Sequence, residues 1–218
     1  MKKLIQNELD DLIKQHEIWL KNGEKGIRPS FAGLDLSFLE LKRANLHNSN
    51  FTGSNLTGCD FRASNLTKAD LKGANLKKAN LKEANLFSAN LYKAILENVK
   101  VNEYTIFYFQ LCPEEGEIIG YKKVAAGNGK YAIVKLLIPK EAKRNSSTTY
   151  RCRTEKAKIL EIVREDNVII DRAWSIRNPD CIYEVNKILE VQEFDEDRWH
   201  ETSNGIHFYL SKDLAKYY

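Results

Sequence analysis

Between Phe31 and Leu96 a Leu or Phe stands at every fifth position, fourteen times in register: Phe31, Leu36, Leu41, Leu46, Phe51, Leu56, Phe61, Leu66, Leu71, Leu76, Leu81, Leu86, Leu91 and Leu96. Val101 extends the series as its expected last member. Two positions before most of these stands a small residue, as at Ala44, Ser49, Ser54, Cys59, Ser64, Ala69, Ala74, Ala79, Ala84, Ala89 and Ala94, with Asn or Asp in between. A period of five is neither that of an α-helix, about 3.6, nor that of a strand, about 2. It suits a chain that turns a corner every five residues. Four corners close a square coil, and its narrow interior admits one large side chain per side beside a small one.

Units such as Ala74-Asn75-Leu76-Lys77-Lys78 and Ala79-Asn80-Leu81-Lys82-Glu83 resemble the pentapeptide-repeat family, whose pattern is A-(D/N)-L-x-x. The resemblance covers about a third of the chain and implies a right-handed quadrilateral β-helix of about four coils. Leu34 and Leu39 stand where Ala is expected and should widen the first coil. Coils that cannot bury their own end faces need caps.

The flanks supply candidates. Leu4, Ile5, Leu9, Leu12, Ile13, His16, Trp19 and Leu20 follow helical spacing over residues 2–22, and Asn22-Gly23 is a stop signal. This helix is expected to cap the first coil. The aromatic run 104–111 reads as the C-terminal cap and hinge core, with a homodimer contact as the alternative, and Pro113–Gly116 as a turn. Beyond it, 118–124 and 130–138 read as strands joined by Gly127-Asn128-Gly129. Residues 143–147 read as a polar loop. Further strands are expected at 150–153, 157–163, 168–170, 182–191 and 205–210, then a short helix N-capped by Ser211. The expected fold is mainly β: a capping helix (1–28), the β-helix (29–103), an aromatic cap and linker (104–116) and a strand-rich α+β domain (117–218).

No apolar run approaches the roughly 20 residues of a membrane span, and no signal peptide is recognisable at the N-terminus, so the expected location is the cytoplasm. Four scattered cysteines (Cys59, Cys112, Cys152, Cys181) with no C-x-x-C pair argue against a zinc site or disulfide scaffold. The net charge of +4 is uneven: residues 120–177 carry 14 basic and 6 acidic side chains, residues 178–218 carry 4 and 9. Either the two stretches neutralise each other, or a basic face attracts an anion.

Arg144, Arg151, Arg153, Lys156, His207 and Tyr150, with Lys143 and Lys158, are the candidates for holding a phosphate-bearing ligand, a nucleotide or nucleic acid. The competing reading pairs the arginines with the acidic tail. Alternation puts Arg151 and Arg153 on one face of a strand and Cys152 on the other, as a buried structural cysteine. A pocket uniting Arg153, Tyr150 and His207 would suit an ADP-ribosyltransferase-like enzyme, but no spacing requires it. His200, Glu201 and His207 match no common metal spacing, Gly127–Lys130 is too short for a phosphate loop, and no cofactor is implied. On the repeat, residues twenty apart should stack, which places Lys42, Arg62 and Lys82 in a column beside Arg43. Some members of the family mimic DNA with an acidic surface. This repeat carries 9 basic and 6 acidic side chains, so mimicry is not expected.

The phrases Leu136-Leu137-Ile138-Pro139, Arg151-Cys152-Arg153 followed by Ala157, and Ser203-Asn204-Gly205-Ile206-His207-Phe208 resemble a domain of unknown function found behind pentapeptide repeats in bacteriophage and other viral proteins. That resemblance implies a phage origin and carries no mechanism. The leading expectation is a non-enzymatic protein-binding scaffold, with a host factor as partner and inhibition as its effect. An anion-binding module built on 120–177 is the alternative.

Overall fold

The computed structural model describes residues 1–217, which divide into two compact units, 1–109 and 110–217. In the first, the pentads turn as their period requires. Each unit ends in a four-residue turn closed by a hydrogen bond such as Ala44 N–H to Leu41 O (3.2 Å) or Ala74 N–H to Leu71 O (3.0 Å). The third residue of each turn has positive φ, from Gly33 (66°) through Phe38, Arg43 and Asn48 to Asn98 (56°), the type II pattern. Parallel bridges join residues twenty apart, from Ser30↔Asn50 to Asn80↔Lys100, so four pentads make one coil. The Leu and Phe of the series from Phe31 to Leu91 are buried, as are Ser49, Ser54, Cys59, Ser64, Ala74, Ala79 and Ala84. The Asx side chains brace the corners: Asn55 Oδ1 accepts from Thr57 N–H (3.2 Å) and its Nδ2 donates to Asp35 Oδ1 on the previous coil (2.9 Å).

The coil runs past the expected end at Val101. The last bridge is Asn85↔Ile106, a step of twenty-one that absorbs one extra residue. Thr105, buried, takes the inward place, and its hydroxyl donates to Leu81 O (3.1 Å). At the other end α1 (Gln6–Lys21) caps the rod. It is shorter than the expected 2–22 because residues 2–4 pair with the first coil instead: Asp35 N–H donates to Lys2 O (2.8 Å) and Leu4 N–H to Asp35 O (2.9 Å). Leu9 and His16 are the helix residues driven fully inside, while the Gln6 amide both donates to Glu40 O (2.9 Å) and accepts from Glu40 N–H (2.9 Å).

The second unit is one open sheet. Its strands are β1 (Ile118–Ala125), β2 (Tyr131–Ile138), β3 (Arg144–Ser146), β4 (Arg151–Thr154), β5 (Lys156–Arg164), β6 (Arg172–Trp174), β7 (Ile182–Glu184), β8 (Ile188–Glu190) and β9 (Ile206–Tyr209), followed by α2 (Lys212–Tyr217). The order is β3-β4-β9-β1-β2-β5-β8, with β6 on β1 and β7 on β6. The β1–β2 hairpin forms where Gly127 and Gly129 supply positive φ. Three expectations are corrected. The "polar loop" is strand β3, with Arg144, Asn145, Ser146 and Ser147 buried, because their side chains satisfy backbone groups that a loop would give to water. Residues 182–191 are two strands, separated by a turn at 185–187. Residues 168–170 make one bridge, Val163↔Ile169, rather than a strand.

A cationic cavity where the sheet forks

Strand β1 shares one edge between two partners. It pairs with β9 at Tyr121↔Tyr209 and with β6 at Ala125↔Trp174, one residue pair each. Between those points β9 and β6 diverge and leave a cavity of about 350 Å³. Its walls include Lys122, Lys123, Arg151, Arg177, Cys181 and His207. Among the described residues, four of those lining it are Lys or Arg, and none is Asp or Glu.

Lys122 lies opposite buried Val134 on β2, which puts it on the core-facing side of β1 with Gly120 and Val124. Gly120 has to be glycine: a Cβ there would sit 2.3 Å from the Phe208 ring. From this face the Lys122 Nζ crosses the fork and donates to the backbone oxygen of His207 (3.1 Å). Among the described residues it forms no ion pair. Burial, with the charges of Arg151 and Arg177 adding to it, lowers its pKa to about 8. His207 Nε2 faces Ser203 O at 3.1 Å. Since a carbonyl only accepts, Nε2 carries the proton and the ring is neutral with Nδ1 as its acceptor. Burial first, then the Lys122 charge, lower the His207 pKa to about 4. Arg151 donates to the Tyr209 hydroxyl (3.5 Å) and lies 3.8 Å from Glu201, a long ion pair.

The other expected anion ligands are placed elsewhere. Arg144 donates to Pro113 O (2.6 Å), Gly116 O (2.8 Å) and Pro139 O (3.2 Å). Arg153 donates to Ser203 Oγ, Asn204 O (3.0 Å) and Asp197 O (2.9 Å), with Phe194 across its guanidinium. Both are buried and their donors are spent on the protein's own oxygens. Gly205 allows this packing: its φ is +151°, and a Cβ would lie 3.3 Å from that of Arg153. Lys156 pairs with Glu141 (3.5 Å), and Lys143 with Glu196 (2.5 Å). Arg153 and His207 are cross-strand partners, but only His207 lines the cavity, and neither Arg153 nor Tyr150 does. The trio required for an ADP-ribosyltransferase-like pocket is therefore not assembled. The buried Cys152 lies opposite Phe208 in the core. Arg177, Lys122 and Cys181 were absent from the sequence candidates. The one signal for them was Lys122 itself, a lysine alternating with Gly120 and Val124 on a strand.

On the repeat, Arg43 N–H donates to Arg62 O (2.9 Å) and Ala63 N–H to Lys82 O (3.0 Å), so Lys42, Arg62 and Lys82 occupy equivalent places on successive coils. Acids interleave with them: Arg62 forks onto Asp60 (2.9 Å from Nε) and holds that carboxyl below its usual range.

The sequence model for pentapeptide repeats matches residues 30–67 and 64–102, and that of a family of unknown function, DUF5758, matches residues 108–215. No match was found among curated proteins. Among solved structures the chain is similar to a pentapeptide repeat protein from Nostoc Pcc 7120 (26% identity over 48% of this chain and 84% of that one, TM-score 0.36). It is also similar to pentapeptide repeat proteins from the cyanobacterium Cyanothece 51142 and from the thylakoid lumen of Arabidopsis thaliana, each at 30% identity over 34% of this chain, TM-score 0.33. This chain spans 50% of the length of the latter two. No described helix is long and apolar enough to cross a membrane. The chain thus carries a pentapeptide-repeat β-helix over residues 30–102 and a C-terminal domain of the family of unknown function DUF5758 over residues 108–215.

Proposed function

We propose that this is a non-enzymatic binding protein in which the β-helix is the mount and the C-terminal domain holds a small anionic, phosphate-bearing ligand. One observation carries the reading: among the described residues, Lys122, Arg151 and Arg177 line the cavity at the fork and no Asp or Glu does. Uncompensated positive charge in a concave, partly desolvated site concentrates anions. The basic stretch 120–177 enters this reading through Lys122, Arg151 and Arg177, while Arg144, Arg153 and Lys156 support the domain. Calorimetric titration of the full chain with inorganic phosphate and with a nucleoside monophosphate should show binding that weakens with salt. Arg151→Ala and Arg177→Ala should each weaken it further. An unchanged heat of dilution at low salt would sink the reading.

A protein partner is the second reading, and Phe38 favours it. This ring sits at a positive-φ turn position and is 73% exposed, lying over Gly58. A large exposed aromatic on a rigid coil is a common anchor in contact surfaces. Under this reading the protein acts in the cytoplasm, and a phage origin would make its partner a host factor that it inhibits. A pull-down in which Phe38→Ala recovers the same proteins as wild type would exclude Phe38 as the anchor.

A further inference from the structure

We infer that Lys122 captures its ligand covalently and reversibly, forming an imine with a small aldehyde or ketone that also bears a phosphate or carboxylate. This rests on reading the cavity as an anion site. The geometry carries it in three steps. First, Lys122 is a cavity wall on the core-facing side of β1, and among the described residues its hydrogen-bond partner is a backbone carbonyl, His207 O at 3.1 Å. A structural lysine so placed would be expected to pair with a carboxylate; this one forms no ion pair among the described residues. Second, its cationic neighbours Arg151 and Arg177 stand in the same walls. They disfavour a second positive charge and hold an anionic group, which is how a lysine amine is made nucleophilic. Third, the adjacent lysine is excluded from the role. Lys123 Nζ donates to Lys216 O (3.0 Å) and lies 5.0 Å from the centre of the Tyr131 ring, so it is pinned away from the site.

The step balances without any further reagent. The neutral amine of Lys122 adds to the carbonyl carbon, forming a C–N bond as the C–O π bond breaks. A proton passes from nitrogen to oxygen. The carbinolamine then loses water and leaves C=N; water reverses it. At pH 8 a lysine titrating at about 8 is neutral in roughly half of molecules, whereas an ordinary one near 10.4 is neutral in under about 1%.

The test uses the full chain, glyceraldehyde 3-phosphate and borohydride, which reduces the imine to a stable secondary amine, followed by peptide mass spectrometry. Phosphate binding is measured in parallel by titration. The label should concentrate on Lys122 over Lys123 in the same peptide. Phosphate should suppress it, and uncharged glyceraldehyde should label Lys122 less. Lys122→Arg should lose the label; Lys122→Met serves if that variant does not fold. Phosphate binding with label spread evenly over the lysines overturns covalent capture and leaves the anion site standing. No phosphate binding and no selective label overturns both. Selective label that phosphate does not suppress overturns the anion reading and with it the ligand class.

Discussion

The ammonium of Lys122 donates to the backbone oxygen of His207 at 3.1 Å, across the point where β1 and β9 part. A carbonyl oxygen carries only a partial charge, so it orients the lysine without cancelling it. Salt bridges elsewhere in the domain, such as Lys130–Asp166 (2.9 Å) and Arg172–Glu184 (3.1 Å), show that acids are available on its surface. None of them lines the fork.

The arginines separate by role. Arg151→Ala should weaken phosphate binding by about 10- to 100-fold, the loss of one charge-assisted contact, and change stability by under roughly 1 kcal/mol. Arg144→Ala should do the opposite and lower stability by on the order of 3 kcal/mol, because three backbone carbonyls lose the buried guanidinium that donates to them. Paired thermal melts and titrations check both. Equal losses of stability would contradict the assignment.

Acid should destabilise the C-terminal domain through His207. Its folded pKa is about 4 and its unfolded value near 6.5. Above pH 6.5 both states are neutral there and the term vanishes. Between 6.5 and 4 the unfolded chain takes up a proton that the folded one refuses, so stability declines across that window and levels below it, by roughly 2–3 kcal/mol at most. The comparison is the pH profile of the melting temperature in wild type against His207→Asn, which cannot titrate. Parallel profiles would refute the role of His207.

Phe38 and Gly58 are coupled. A Cβ at Gly58 would lie 2.6 Å from the Phe38 ring, at a φ of +68°. Gly58→Ala should cost about 1–3 kcal/mol. Phe38→Ala alone should cost little, since the ring is exposed, and the double variant should recover about 0.5–1 kcal/mol relative to additivity. Denaturant melts of all four proteins measure the cycle.

The cap can be opened selectively. Leu9→Ala should cost about 2–5 kcal/mol by leaving a cavity under α1, while Ile5→Ala, at a side chain 62% exposed, should stay within about 0.5 kcal/mol. Amide exchange at Leu4, which donates to Asp35 O, should speed up in the first variant only.

By itself the sequence determined the β-helix, because each pentad specifies its own corner. A Leu or Phe turned inward, a small residue beside it and an Asx side chain on the amide two residues on are local relations, and repetition makes them additive. The capping helix and the β1–β2 hairpin were legible for the same reason. What the sequence could not decide was anything set by long-range pairing. Arg144–Ser146 reads as a polar loop until β4 pairs with it and Arg144 finds three carbonyls. Val101 reads as the end of the rod until one extra residue is absorbed and Ile106 bridges Asn85. The cavity joins Lys122 to His207 and Arg177 only because β9 and β6 share one edge of β1 and then diverge. No spacing along the chain encodes that fork. Tertiary structure alone decided which cations were spent inside the domain, as Arg144 and Arg153 were, and which came to line the cavity.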